Sequence, residues 1–187
     1  MMKVTETSGQ AARELAEALE QVDEAQVEAL MDAVCSAKKV YVAGAGRSLL
    51  MLRCVAMRLM HLGFESYVVG DTTTPAFEKE DLLICGSGSG ETAGLINAAA
   101  KAKKIGGRIA AMTIRRDSTL AQMADVVVEI PAYTDKVECK IKKKPILPGG
   151  TMFEQCILLL GDTMILPLAE KAKIPTDQAF TRHANLE

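Results

Sequence analysis

The residues best suited to chemistry lie in the segment 85–92, where two serines and a threonine are interleaved with three glycines. Hydroxyl groups donate hydrogen bonds to anions, and glycines let the backbone approach a ligand closely. An apolar run precedes the segment and a helical pattern follows it, so the free amides and dipole of a helix N-terminus add to the attraction. The pattern predicts phosphate binding by Ser87, Gly88, Ser89, Gly90, Glu91 and Thr92.

Two other interpretations of this segment compete with phosphate binding. Helix N-capping alone would explain Ser89 or Thr92, because both residue types favour that position. A P-loop is excluded, since the lysine and the spacing of that motif are absent. Several hydroxyls among several glycines favour the phosphate site over a simple cap.

A second turn, 44–48, lies at the end of another predicted strand and carries Arg47 and Ser48. We expect these two residues to add a positive charge and a hydroxyl to the same pocket. The competing interpretation is half of a dinucleotide-binding fingerprint, with Asp71 as the ribose-binding acid. Leu49 replaces its third glycine, where helix and strand must pack closely, and such a fold would leave the richer turn at 85–92 unexplained.

The composition excludes several classes of protein. A chain of 187 residues with 49% apolar and 25% charged residues fits one soluble domain, and a net charge of −2 offers no basic field to nucleic acid or membranes. We find neither a signal peptide nor an apolar run of about 20 residues that could span a bilayer. Five cysteines without a CxxC pair indicate reduced thiols and a cytoplasmic location. Two distant histidines predict no metal site.

Strands and helices alternate along most of the chain. Strands are predicted at 40–43, 67–69, 82–85, 108–114 and 125–130, with helices at 48–62, 93–105 and 118–124. This order predicts an α/β fold, a three-layer αβα sandwich around a five-stranded parallel sheet whose ligand binds beyond the carboxyl ends of the strands. The remaining parts are an N-terminal helical arm (1–37, divided at Asp23), a loop (132–150) after the core (38–131), and a C-terminal helix with its tail (151–187, bent or ended near Pro167).

The loop carries a run of lysines. A solvated loop is the ordinary interpretation, and a mobile flap over an anionic substrate is the alternative. The lysines are Lys136, Lys140, Lys142, Lys143 and Lys144.

Two residues are candidates for proton transfer, and each also has a structural explanation. Glu154 could act as a base, but Thr151 and Glu154 also have the spacing of a capping box. His61 ends a predicted helix, where the helix dipole favours a charged histidine. The residues alone leave both questions open.

The chain resembles the sugar isomerase (SIS) domain family, and within it the 6-phospho-3-hexuloisomerases. The likeness rests on Ala-Gly-Arg-Ser at 45–48, Ala-Met-Arg-Leu-Met-His-Leu-Gly at 56–63, Gly-Ser-Gly-Ser-Gly-Glu-Thr at 86–92, Gly-Thr-Met-Phe-Glu at 150–154 and Arg-His-Ala-Asn-Leu-Glu at 182–187. It implies a single SIS domain over residues 1–187 with a flavodoxin-like fold. It also implies isomerisation of 6-phospho-3-hexulose to fructose 6-phosphate in the ribulose monophosphate pathway of formaldehyde fixation, without metal or cofactor, by Glu154 and His61. The lysine-rich segment 137–144 is more basic than the family pattern.

Two other functions remain within this resemblance. One is isomerisation of another sugar phosphate, such as an arabinose phosphate, although those enzymes usually carry further domains. The other is a sugar-phosphate sensor that binds without turnover, although such sensors carry an N-terminal DNA-binding domain. Conversion of the sugar phosphate distinguishes an enzyme from a sensor.

The spacing of two candidate residues predicts an assembly. Ser48 and His61 lie 13 residues apart in one helix, about 20 Å along its axis. A substrate bound near Ser48 is therefore out of reach of His61 in the same chain. Because this helix is apolar on more than one face, we expect a closed homo-oligomer, a dimer or tetramer, with sites shared between chains.

Overall fold

The computed structural model describes residues 3–141, 143–175 and 181–186. The strands in this part of the chain are β1 (Val40–Gly44), β2 (Ser66–Val68), β3 (Leu82–Gly86), β4 (Arg108–Thr113) and β5 (Val126–Glu129). The helices are α1 (Val4–Leu19), α2 (Glu24–Ser36), α3 (Arg47–Leu62), α4 (Ala93–Ile105), α5 (Thr119–Met123), α6 (Thr151–Thr163) and α7 (Ile165–Lys171). From β1 to β5, each predicted element is confirmed to within one residue at either end.

The strands form one parallel sheet in the order β2-β1-β3-β4-β5. Val40 lies opposite Leu82 and Gly44 opposite Gly86, so β1 and β3 end level with each other. The chain leaves β1 toward one edge of the sheet and leaves β3 toward the other edge. In such sheets the crevice between the two diverging connections is the usual ligand site.

Alternate residues of each strand enter two different cores. On one face the apolar side chains pack against α2, α3, α6 and α7, and on the other against α4 and α5. The first set of strand residues is Val40, Val42, Leu82, Ile84, Ala110, Met112 and Val128. The second is Tyr41, Ala43, Leu83, Cys85, Ile109 and Ala111. Helices therefore cover both faces, and the predicted three-layer arrangement is confirmed.

The N-terminal arm consists of α1 and α2, divided at the predicted residue. The Asp23 carboxylate accepts from the amide of Ala25 at 2.9 Å and so caps α2. Gln26 donates to the same carboxylate, and its own side-chain oxygen accepts from the amide of Glu129 at 2.7 Å. This last bond ties the arm to β5, the edge strand of the sheet.

The C-terminal helical stretch is interrupted earlier than predicted. The break falls at Met164, between α6 and α7, while Pro167 lies in the first turn of α7. Proline has no amide to donate to the preceding turn, so a helix breaks before it rather than at it. The combined stretch Thr151–Lys171 is long and apolar enough to cross a membrane, which the sequence interpretation did not recognise. Over half of it is buried within the fold, as in a core helix of a globular protein.

Candidate active site

A pocket of about 270 Å³ opens at the carboxyl ends of β1 and β3. The turns after these two strands form one side of it, and the loop after β5 and the start of α6 form the other. Seven of the residues predicted for the site line it: Arg47, Ser48, Ser87, Gly88, Ser89, Thr92 and Glu154. The structure thus gathers segments more than a hundred residues apart at the crevice that the sheet order creates.

The turn after β3 holds its hydroxyls in a fixed network. The hydroxyls of Ser87 and Thr92 are 2.9 Å apart, and the amide of Gly90 donates to Ser87 Oγ at 3.1 Å. Thr92 is the N-cap residue of α4, yet its side chain makes no capping bond, so capping alone does not explain this threonine. In the described part of the chain, the amides of Gly88, Ser89 and Thr92 donate to no protein atom. These amides and hydroxyls together form a cradle suited to the oxygens of a phosphate.

Gly90 and Glu91, also predicted to bind phosphate, lie outside the pocket lining. Gly90 has a φ of +66°, and a Cβ at this position would lie 2.0 Å from Ser118 Oγ. The carboxylate of Glu91 accepts from the amide of Thr119 at 2.9 Å, at the start of α5. This backbone hydrogen bond is the main reason that the pKa of Glu91 is lowered. Both residues shape the turn behind the pocket lining, and their contact with phosphate stays a prediction.

The turn after β1 brings the start of α3 close to the strand end. A Cβ on Gly44 would lie 2.8 Å from the amide nitrogen of Leu49. The close approach of helix and strand is therefore provided by the glycine that ends β1, although Leu49 replaces the third glycine of the dinucleotide fingerprint. Asp71, the ribose-binding acid of that interpretation, is paired with Arg53 on α3.

Glu154 does not form the predicted capping box. The N-cap of α6 is Gly150, and the Thr151 hydroxyl donates to the carbonyl of Pro148 at 2.7 Å. The Glu154 carboxylate instead accepts from Nε of Arg47 at 2.5 Å, at the edge of the pocket. The structure therefore corrects the capping-box interpretation of Glu154, while Arg47 lines the pocket as expected and is paired there with a carboxylate.

His61 lies outside the pocket lining and only 3% of its surface is exposed. Its ring centroid is 4.1 Å from that of His183, a tail residue for which the sequence suggested no role. Burial, followed by the nearby His183 and Arg58, lowers the pKa of His61. A histidine held neutral gains little from the helix dipole, so the dipole does not explain its position.

Several pocket residues were not predicted. Ile114 follows β4 and Phe153 precedes Glu154, while Thr134 and Lys136 come from the loop after β5. The lysine run was the one sequence signal pointing to that loop, as a flap over an anion. Thr134 lies in a stretch without periodicity and gave no signal.

Other reactive groups near the pocket are inert or scattered. Cys85, just before the cradle, is fully buried, and burial raises its pKa to about 12, so the thiol stays protonated. Among the described residues, no three His, Cys, Asp or Glu side chains are grouped as metal ligands would be. The absence of a metal from the reaction stays a prediction.

Comparison with known proteins identifies the family. The SIS domain family matches residues 34–140, which include both turns of the pocket. This chain belongs to the SIS domain family. The SIS chain is 42% identical to 3-hexulose-6-phosphate isomerase of Bacillus subtilis over 100% of both proteins. It is 43% identical to the protein of that name from Mycobacterium gastri, over 93% of this chain and 86% of the relative.

Solved structures agree with this assignment. The SIS chain superposes with a TM-score of 0.79 on a Methanococcus jannaschii protein that is 36% identical, over 97% of both chains. That crystal structure was used to infer a molecular function of 3-hexulose-6-phosphate isomerase. A second crystal structure, of a hypothetical protein 35% identical, gives a TM-score of 0.85 over 96% of this chain and 97% of the other. The five-stranded parallel sheet with its covering helices is thus the SIS fold.

Proposed function

We propose that this protein is a 3-hexulose-6-phosphate isomerase, which converts 6-phospho-3-hexulose to fructose 6-phosphate. The observation that carries the proposal is that one pocket contains both a hydroxyl and amide cradle and a carboxylate from α6, Glu154. A sugar phosphate isomerase needs these two parts, a grip on the phosphate and a base near the carbons. Relatives bearing this name are about 40% identical across most of the chain.

The reaction moves a carbonyl from C3 to C2 through an enediol. In our proposal Glu154 removes the proton from C2 while the electrons of that C–H bond form the C2–C3 double bond and O3 gains a proton. The enediol then loses the proton on O2, its electrons re-form a carbonyl at C2, and Glu154 returns a proton to C3. No net oxidation takes place, so the step needs no redox partner.

Arg47 has two roles in this mechanism. Its Nε holds the Glu154 carboxylate in one orientation, and its other nitrogens donate to no atom in the described part of the chain. A guanidinium presents several donors in a rigid fork. The remaining donors suit the oxygen that becomes negative as the enediol forms, a position where electrostatic stabilisation is most effective.

We further propose that the active enzyme is a closed homo-oligomer. Gly161 on α6 lets α3 approach closely, since a Cβ there would lie 2.4 Å from Val55 Cγ2. The outer surface of these paired helices and of α7 carries exposed apolar side chains, namely Leu50, Met57, Met60, Leu159 and Leu166. Exposed apolar side chains on neighbouring helices are typical of a subunit interface.

His61 is proposed to act on the site of a neighbouring subunit. His61 is remote from its own cradle along α3. Its ring lies against that of His183 and little of its surface is exposed, so both histidines are proposed to lie at that interface. Mixing inactive His61→Ala with inactive Glu154→Gln after subunit dissociation should restore part of the activity, through interfaces that pair one intact residue of each kind. Subunit exchange confirmed by mass spectrometry without recovery of activity would refute a shared site.

The wider setting follows from the same proposal. We infer that residues 1–187 form one SIS domain working in the cytoplasm, in the ribulose monophosphate route. The deciding assay mixes purified protein with fructose 6-phosphate and follows the ketose signals by NMR, with arabinose 5-phosphate as a second substrate. A new ketose signal from fructose 6-phosphate supports the proposal. Turnover of the pentose phosphate alone indicates a different isomerase, and tight binding without turnover indicates a sensor.

A further inference from the structure

The loop after β5 contains a hydrogen-bonded turn at the rim of the pocket. The amide of Thr134 donates to Cys139 Sγ at 3.3 Å, and that thiol donates back to the carbonyl of Thr134 at 3.4 Å. The amide of Lys136 donates to Thr134 Oγ1 at 3.3 Å. Thr134 and Cys139 are both buried. The turn thus fixes the backbone of Lys136 beside the pocket, which Lys136 lines.

The lysines of this loop differ in how their charges are compensated. Lys140 is paired with Glu129 at 2.6 Å, and Lys144 with Asp135 at 3.1 Å. Lys136 forms no ion pair with any residue that the structure describes. An uncompensated cation therefore lies at the mouth of the cradle.

The net charge of the other pocket residues indicates a role for this cation. Arg47 is paired with Glu154, so their formal charges cancel. The cradle itself offers dipoles from hydroxyls and amides but no net charge. A phosphate monoester carries between one and two negative charges near neutral pH. Without Lys136, the pocket would have to hold this charge with no net positive charge of its own.

We propose that Lys136 is a phosphate-binding residue, whose ammonium group contacts the phosphate of the substrate held by the cradle. This inference rests on the proposed sugar phosphate function and adds a residue from the lysine-rich loop to its site. Lysine is a common point-charge ligand of phosphate, and its flexible stem lets the ammonium reach oxygens of a group bound deeper in the pocket.

The test compares Lys136→Met with Lys143→Met. Lys143 is an exposed lysine of the same loop that lines a separate groove beside α1, so its substitution makes the same change in charge away from the site. Calorimetric titration with inorganic phosphate measures binding without turnover, and kinetics with fructose 6-phosphate measures kcat and KM. We expect Lys136→Met to raise the dissociation constant of phosphate and the KM about tenfold to a hundredfold. We expect kcat to stay within about twofold, Lys136→Arg to keep most of the affinity, and Lys143→Met to match the wild type.

Wild-type phosphate affinity in Lys136→Met would overturn the assignment. If kcat also fell sharply in that variant, the ammonium would instead be assigned to the reacting carbonyl. The proposed function can fail separately. If the wild type converted no sugar phosphate while Lys136→Met still weakened phosphate binding, the isomerase would be refuted and the phosphate contact supported.

Discussion

The turn that carries the cradle should be highly sensitive to a single methyl group at Gly90. A Cβ there would lie 2.0 Å from the hydroxyl oxygen of Ser118 and 2.3 Å from its Cβ, far inside van der Waals contact. The φ of +66° also costs an alanine about 1–2 kcal/mol. Ser118 cannot move without losing its bond to the amide of Ala121, which caps α5. Loss of that cap costs about 1 kcal/mol more.

Together these terms predict that Gly90→Ala lowers the free energy of unfolding by about 2–4 kcal/mol. A domain of ordinary stability survives this loss, so the variant should fold, with a melting temperature lower by roughly 5–15 °C. Because the amide of Gly90 donates to Ser87 Oγ, the displaced turn should also raise KM for the sugar phosphate. Urea unfolding and steady-state kinetics on the same preparation measure both effects.

A double-mutant cycle with Ser118→Gly tests whether the clash is the cause. Removing the Ser118 side chain sacrifices the cap but opens the space that the new methyl group needs. Gly90→Ala should therefore cost at least about 1 kcal/mol less in that background than in the wild type. Strictly additive losses would refute the steric explanation. Gly94→Ala is the matched control, since a Cβ on this helical glycine meets no atom within 4 Å and alanine should stabilise α4 by up to about 1 kcal/mol.

Three further predictions concern single side chains. Ser89→Ala should raise KM roughly tenfold or more and leave kcat nearly unchanged, because the phosphate is held alike in the ground and transition states; a wild-type KM would remove Ser89 from the cradle. Glu154→Gln should fold and bind fructose 6-phosphate in calorimetry but lose nearly all turnover, and full activity would return Glu154 to a structural role. The free energy of unfolding should fall as the pH drops below about 6.5, because the folded-state pKa of His61 is lowered and the unfolded chain takes up its proton first. Urea midpoints at pH 7.5 and 5.5 measure this loss; His61→Phe should reduce it, and an unchanged slope would assign it to other groups.

The sequence predicted the elements well where local chemistry decides them. The helices α3 and α4 end at the predicted residues 62 and 105, and each is followed by a glycine in the left-handed conformation, Gly63 and Gly106. The alternation of short apolar strands with helices was sufficient to predict the parallel sheet, because buried strands and the helices that connect them each leave a recognisable pattern in the sequence. The two glycine and serine turns therefore fell at the correct edge of the sheet.

Contacts between distant segments could not be predicted in this way. The capping-box spacing before Glu154 is a local signal, but the carboxylate is bound by Arg47, 107 residues away in the chain. Thr134 enters the pocket through a turn closed by a thiol, which leaves no periodic pattern. The contact between the rings of His61 and His183 likewise depends on where the tail returns to the end of α3.

The bond from the amide of Glu129 to Gln26 has a consequence for solubility. An uncovered edge strand presents unpaired amides and carbonyls to which a strand of another molecule can add. Here Gln26 of α2 accepts from one of these amides and α2 packs against β5, while β2, at the opposite edge, is only three residues long. The arm is made before β5 during synthesis and is available to cover it as soon as the sheet closes. A chain lacking residues 3–36 would lose this bond and also the buried side chains of α2, so we expect it to aggregate more readily than the full chain.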